Sequence, residues 1–247
     1  MAAPAGQKIM QGRRFLRYGI ARRLYHLLVA AVALLPVAPA AASQLVLTYG
    51  DSLMAGYQLG PAEGFAPQLQ VALRRQGRDA LVRSAAVSGD TSAAGRARLS
   101  WVLAGLKTKP DLVLLELGAN DMLRGQPPAA LRANLEAMLT EFARRGIPVV
   151  LAGMQASPNL GAAYGRDFNR IYPELAKAHR LPLYPFFLNG VAATPTLQLA
   201  DGMHPNPRGV AVIVQGILPV VDAALGPVPK GANRLVPVFS SMPTRVR

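Results

Sequence analysis

The sequence predicts an α/β protein built on a mostly parallel five-stranded sheet with helices against both faces. Three observations predict it. Short, near-continuous apolar runs alternate with stretches of helical periodicity from residue 44 to residue 225. Strands that are apolar along their whole length are buried on both sides, and a strand–helix–strand order gives parallel pairing with helices on the two faces. The apolar fraction is 51%, enough for a sizeable core in one domain. Clusters of Gly, Ser, Asn and Asp follow the apolar runs directly, at the carboxyl ends of the strands, where open parallel sheets hold their sites.

The elements follow in order. QLVLTY over residues 44–49 is a strand stopped by Gly50. Residues 66–76 have helical spacing at Leu69, Ala72 and Leu73, and Gly77 ends them. Residues 80–86 form a second strand, 92–106 a helix ending before Pro110, and LVLLEL at 112–117 a buried strand. Residues 128–145 place Leu131, Leu135, Met138, Leu139 and Phe142 on one helical face, with Gly146 as the stop. Residues 148–152 are a strand, 164–179 a helix and 181–184 a fifth strand. A helix over 207–225 closes the domain, with Pro207 suited to its first turn.

Both termini read differently from this body. Arg13, Arg14, Arg17, Arg22 and Arg23 precede an unbroken apolar run from Leu27 to Leu35; Pro36, Pro39 and Ala40-Ala41-Ala42 follow. A basic region, a short apolar stretch and a small-residue cleavage site make residues 1–42 a signal peptide, with a periplasmic or secreted destination after cleavage near Ala42. The alternative is an uncleaved inner-membrane anchor through residues 24–42, although the run is short for a span. Residues 226–247 are rich in Pro and Gly and read as an extended or disordered basic tail.

The formal net charge is +14, a value that raises nucleic acid as a partner. Its distribution argues against one. Residues 1–42 hold six Lys/Arg and residues 226–247 four, neither with an acid, leaving 17 basic against 13 acidic residues between them. Without a basic stripe interleaved with aromatics, nucleic-acid binding is not expected; peripheral contact of the tail with anionic lipid is. There is no cysteine, which excludes disulfides, thiolate metal sites and a Cys nucleophile. A monomer is expected.

Four polar clusters stand at the strand ends: Gly50-Asp51-Ser52-Leu53, Ser88-Gly89-Asp90-Thr91, Gly118-Ala119-Asn120-Asp121, and Asp201-Gly202-Met203-His204 before the last helix. Acyl transfer needs a nucleophile, a base, a group to orient the base, and donors for an oxyanion. Ser52 on a tight turn supplies the nucleophile. His204 supplies a base that titrates near neutral pH. Asp201, three residues earlier, can aim its carboxylate at the imidazole. The Asn120 side chain and the backbone N–H groups of Ser52 and Gly89 supply donors. Singly, each residue has an ordinary alternative: a cap at Ser52, an Asx turn at Asp51, positive φ at Gly89, turn residues at Asn120 and Asp121, a surface ion pair at Asp201–His204. Their succession on one rim makes the catalytic reading the stronger. Of the three histidines, His26 is in the leader and His179 ends a helix, where a cation suits the dipole; His204 is left as the base.

These residues resemble the GDSL family, also called SGNH hydrolases. The resemblance covers about residues 44–225 and is nearest the bacterial periplasmic arylesterase, acyl thioesterase and lysophospholipase branch. It rests on GDSLMAGY from Gly50, GANDMLRG from Gly118, GMQASPNLG from Gly153 and DGMHPN from Asp201. It implies a flavodoxin-like three-layer α/β/α sandwich, and hydrolysis of esters or thioesters through an acyl-enzyme on Ser52 with no metal or organic cofactor. An α/β-hydrolase is disfavoured separately, because the chain contains no Gly-x-Ser-x-Gly elbow. Departures from the family pattern are Met54 for a small polar residue, Gly-Ala-Asn-Asp for Gly-Gly-Asn-Asp, and Ser157 for a proline. The acyl pocket is expected near loops 154–165 and 186–200, where Phe186 and Leu188 also lie, with Met54, Leu160, Tyr164 and Phe187 as substrate-contacting residues. The alternatives are a carbohydrate O-deacetylase on the same fold and a non-catalytic lipid-binding envelope protein.

Overall fold

The structure is a computed structural model and describes residues 43–227. The leader expected over residues 1–42 and nearly all of the tail lie outside the described residues.

Five strands form one sheet: β1 (Gln44–Tyr49), β2 (Ala80–Ser84), β3 (Leu112–Glu116), β4 (Val149–Ala152) and β5 (Leu183–Tyr184). Their order is β2-β1-β3-β4-β5 and every neighbouring pair is parallel. The central strands are the most apolar, and β3 and β4 are buried at every residue, as strands covered on both faces must be. From β1 the chain builds outward to β2 on one side, then returns to build β3, β4 and β5 on the other. The point of reversal, between β1 and β3, opens a crevice at their carboxyl ends.

The helices are α1 (Ser52–Ala55), α2 (Phe65–Arg75), α3 (Ser92–Ala104), α4 (Ala119–Leu123), α5 (Pro128–Arg144), α6 (Ala162–Asn169), α7 (Ile171–His179) and α8 (Pro207–Ala224). α2 packs on α8 in one layer, while α3, α5 and α7 pack in succession in the other. Alternation along β1 shows the division. The Tyr49 hydroxyl donates to Gly95 O on α3 at 2.5 Å, and its ring meets Phe142 of α5 edge-on at 6.4 Å. α8 starts where Pro207 needs no N–H partner and the Asn206 side chain accepts from the N–H groups of Arg208 and Gly209, both at 3.0 Å.

Three departures from the sequence reading have local causes. The helix expected over 164–179 is two helices, because Pro173 has no N–H to return to Asn169 and cannot carry the ladder across the junction. The strand expected to run to Ala86 stops at Ser84, where the chain turns toward the rim. The helices α1 and α4, of four and five residues, are too short to show a period. One buried arginine has no signature in the sequence. Arg78, almost wholly buried, donates to Asp222 Oδ1 at 2.5 Å, to the carbonyls of Asp222 and Gly226 at 2.7 Å each, and to Gln44 Oε1 at 3.2 Å. It ties the end of α8 to the start of β1 at the edge opposite the crevice.

Candidate active site

Ser52 stands at the start of α1, three residues beyond the end of β1. The turn that delivers it needs Gly50, because a Cβ there would lie 2.7 Å from Glu116 O and from Glu116 Oε2. Asp51 Oδ1 accepts from Leu53 N at 3.0 Å and so caps α1. As the first helical residue, Ser52 has a backbone N–H that donates to nothing among the described residues.

The Asx turn expected at Asp51 is there, but the residue does more. It is fully buried, and its Oδ2 accepts from Asn120 Nδ2 at 3.1 Å. Burial raises its carboxyl to about 6, against the lowering effect of those two hydrogen bonds. Glu116, also fully buried, approaches the Asp51 N–H at 3.4 Å. Desolvation, then the neighbouring Asp51, hold its carboxyl well above the usual carboxylate range. A buried acid pair thus underlies the Ser52 turn, and burial raises the carboxyl of each.

His204 arrives from the opposite side, on the loop before α8. Leu199 N donates to its carbonyl at 2.8 Å. The Asp201-to-His204 segment folds on its own carboxylate: Asp201 Oδ1 accepts from Met203 N at 2.9 Å and from His204 N at 3.0 Å. Oδ2 lies 2.6 Å from His204 Nδ1, and His204 Nε2 lies 2.9 Å from Ser52 Oγ. The His204 backbone N–H, then that of Met203 and the imidazole, hold the Asp201 carboxyl down at about 2. It is ionised at neutral pH and presents one oxygen to the ring. Tyr57, which no sequence signal marks, lies over the imidazole with centroids 4.5 Å apart. His179 is elsewhere: its Nε2 lies 2.7 Å from Glu136 Oε1.

The remaining donors border the same cavity as Ser52 and His204. Gly89 has φ +87 and an N–H with no acceptor among the described residues, while its carbonyl accepts from Arg124 Nη2 at 2.9 Å. Asn120 sits in the first turn of α4. Gly118 precedes it at φ +126, where a Cβ would lie 2.2 Å from the Tyr172 hydroxyl, so no other residue fits. Asp121, read from the sequence as an ordinary turn residue, is buried and accepts from Ser92 N at 2.7 Å and Ser92 Oγ at 2.5 Å. It locks the start of α4 to the start of α3, and with it Asn120 to the Gly89 loop.

The cavity has a volume of about 650 Å³. Ser52, Gly89, Asn120 and His204 occupy one side, and Leu53, Met122, Met154, Phe186, Leu188 and Met203 line much of the rest. The four expected pocket residues are not among those lining it. Met54 is buried against the Gly50 backbone, and its neighbour Leu53 takes the cavity wall instead. Phe187 is fully buried, packed on Phe65 at 5.1 Å, while Phe186 and Leu188 on either side face the cavity. Phe186 to Asn189 is a turn closed by Asn189 N donating to Phe186 O at 3.1 Å, and it carries Phe187 inward between two residues that face the cavity. Tyr164 stacks on Phe168 at 5.9 Å and donates to Gln126 O at 3.0 Å. Leu160 projects from the short 3₁₀ turn Pro158–Leu160 outside the lining. Ser157, in place of the expected proline, does border the cavity. Its N–H donates to Met122 Sδ at 3.2 Å, a bond proline cannot make.

A serine, an imidazole and an ionised carboxylate in series, beside unpaired amide donors at the carboxyl rim of a parallel sheet, define a serine hydrolase. The comparisons specify which kind. Residues 48–212 match the model of the GDSL-like lipase/acylhydrolase family. Esterase TesA of Pseudomonas aeruginosa is 39% identical over 199 residues, covering 81% of this chain and 98% of TesA. Thioesterase 1/protease 1/lysophospholipase L1 of Escherichia coli K12 is 37% identical over 167 residues, covering 68% and 78% of the two chains. Among solved structures, AlinE4, an SGNH-hydrolase family esterase, is 47% identical with a TM-score of 0.64, covering 74% of this chain and 97% of its own. This chain belongs to the GDSL-like lipase/acylhydrolase family, and its fold is that of the SGNH hydrolases.

Proposed function

We propose that the protein hydrolyses carboxylic esters and thioesters of apolar acyl groups through an acyl-enzyme on Ser52, with no metal or organic cofactor. The observation that carries the proposal is the unbroken contact series from Asp201 through His204 to Ser52 at the edge of a largely apolar cavity. The acyl chain lies against Leu53, Met154, Phe186 and Leu188, with its carbonyl carbon at Ser52. His204 Nε2 takes the hydroxyl proton as Oγ attacks, and Asp201 stabilises the imidazolium. The oxyanion is received by the backbone N–H groups of Ser52 and Gly89 and by the Asn120 side chain. His204 returns the proton to the leaving alcohol or thiol. Water, activated by the same imidazole, then attacks the acyl-enzyme; Ser52 Oγ leaves with the proton, and the acid is released. The apolar lining favours this reading over carbohydrate O-deacetylation, since a sugar needs polar partners that these walls offer sparsely.

The test is Ser52→Ala. Turnover of p-nitrophenyl esters is expected to fall about 10⁴-fold or more, with the unfolding midpoint unchanged and labelling by a fluorophosphonate probe abolished. Near-full activity or retained labelling in that variant overturns the assignment. A series from acetyl to dodecanoyl, as p-nitrophenyl esters and as acyl thioesters, then fixes the acyl preference.

A further inference from the structure

Between the two loops that carry the backbone oxyanion donors lies a single side chain. Arg98 projects from the second turn of α3, largely shielded from solvent, and its guanidinium bonds in three directions. Nε donates to Asp90 Oδ2 at 2.5 Å, Nη1 to Ala85 O at 2.6 Å and Nη2 to Gly50 O at 3.3 Å. The plane lies over the ring of Tyr49, with Cζ 4.1 Å from its centroid. Each partner has a fixed relation to the site. Gly50 is two residues before Ser52. Asp90 is the residue after Gly89. Ala85 is where the chain leaves β2 for the 88–91 loop. The two loops otherwise meet through one backbone bond, from Val87 N to Gly50 O at 3.0 Å.

We propose that Arg98 is a positioning residue for the reaction: by bonding to both loops at once it fixes the spacing between the Gly89 and Ser52 amides that together receive the oxyanion. This rests on the serine-hydrolase reading above. The chemistry of the residue supports the role. A guanidinium is planar, always charged and forked, so it can span three separated acceptors while lying flat on an aromatic face; a lysine ammonium presents its three donors from one point and has no plane to stack. Oxyanion donors act only when their nitrogens lie within about 0.5 Å of the productive geometry. The Val87–Gly50 backbone bond and the Arg124 bond to the Gly89 carbonyl also place the 88–91 loop, but neither joins the Asp90 side chain to the Gly50 turn as Arg98 does. Arg98 touches no substrate; it acts through the two amides.

The experiment compares Arg98→Met and Arg98→Lys in the full chain. Rates on a p-nitrophenyl ester are normalised to sites titrated by a fluorophosphonate, and inhibition by an acyl trifluoromethyl ketone is measured alongside. The ketone forms a tetrahedral adduct that needs the oxyanion donors, whereas ground-state binding of the ester depends mainly on the apolar walls. Both variants are expected to lose about 10- to 100-fold in kcat, to keep KM within about twofold, and to bind the ketone more weakly by the same factor as kcat. Arg98→Lys, which keeps the charge and one bond, carries the test if Arg98→Met does not fold. The proposal is overturned if kcat and ketone affinity both stay within twofold of wild type while only the melting temperature falls. It is equally overturned if kcat falls with ketone affinity unchanged. A wild-type chain that the fluorophosphonate does not label would instead overturn the serine-hydrolase reading and leave the Arg98 contacts as found.

Discussion

Asp201→Asn changes one atom and should silence the site more thoroughly than removing the side chain. In the wild type, Oδ1 accepts from two backbone N–H groups and Oδ2 faces His204 Nδ1. An asparagine keeps its carbonyl oxygen on the two backbone donors and therefore turns its NH₂ toward the imidazole. A ring that accepts at Nδ1 must carry its proton at Nε2, the atom facing Ser52 Oγ, and then cannot take the serine proton. Two losses combine. The charged hydrogen bond to the imidazolium is worth about 1.5–3 kcal/mol, and breaking the new amide bond to recover the working tautomer about 0.5–1.5 kcal/mol. Together they predict a fall in kcat of roughly 30- to 2,000-fold. The upper end lies below the about 10⁴-fold seen for this change in a buried triad, in keeping with an Asp201 side chain still 28% exposed. Asp201→Ala suffers only the first loss and should fall about 10- to 150-fold. The assay is steady-state kcat on a p-nitrophenyl ester, normalised to folded protein. Asp201→Asn more active than Asp201→Ala would refute the tautomer argument.

Two further predictions concern the layers beneath and around the triad. Glu116→Gln should flatten the dependence of stability on pH. A carboxyl raised in the folded state contributes fully below its unfolded value, and the contribution is lost as pH rises toward the folded value, so the wild-type urea midpoint should decline between pH 5 and 8 more steeply than that of the amide; parallel profiles would show that Glu116 does not titrate as argued. Phe187→Ala should destabilise by about 3–5 kcal/mol without altering the order of acyl preference. Phe186→Ala should leave the melting temperature within a few degrees and shift the preferred chain length upward. Exchange of these two phenotypes would reverse the placement of the pair.

The sheet was legible because burial on both faces leaves a signal in every strand residue, as LVLLE of β3 shows. The triad was legible because its members sit in short polar loops directly after apolar runs. The cavity wall was less so. Phe186 and Phe187 differ only in which way the turn after β5 carries them, and no periodicity extends past that two-residue strand to decide it. The supporting contacts left no local trace. Asp51 meets Asn120 across 69 positions and Ser92 meets Asp121 across 29, so their pairing is a product of the strand order and not of any spacing in the chain.

That division has a physical source in the topology. Parallel strands deliver all their carboxyl ends to one rim, so a site built there draws its groups from several loops. A loop after a parallel strand has no hairpin partner to fix it. The rim must therefore be held by side chains reaching from loop to loop: Asp51 to Asn120, Asp121 to Ser92, Arg124 to the Gly89 carbonyl, and Arg98 to Gly50, Ala85 and Asp90. The bonds of Asp51 and Asp121 lie where water is excluded, and both side chains are buried. The same exclusion that raises the Asp51 carboxyl to about 6 strengthens the bond by which it aims Asn120. Preorganisation of the oxyanion donors and the unfavourable burial of a carboxylate are thus two consequences of one arrangement, and removing the second by mutation should weaken the first.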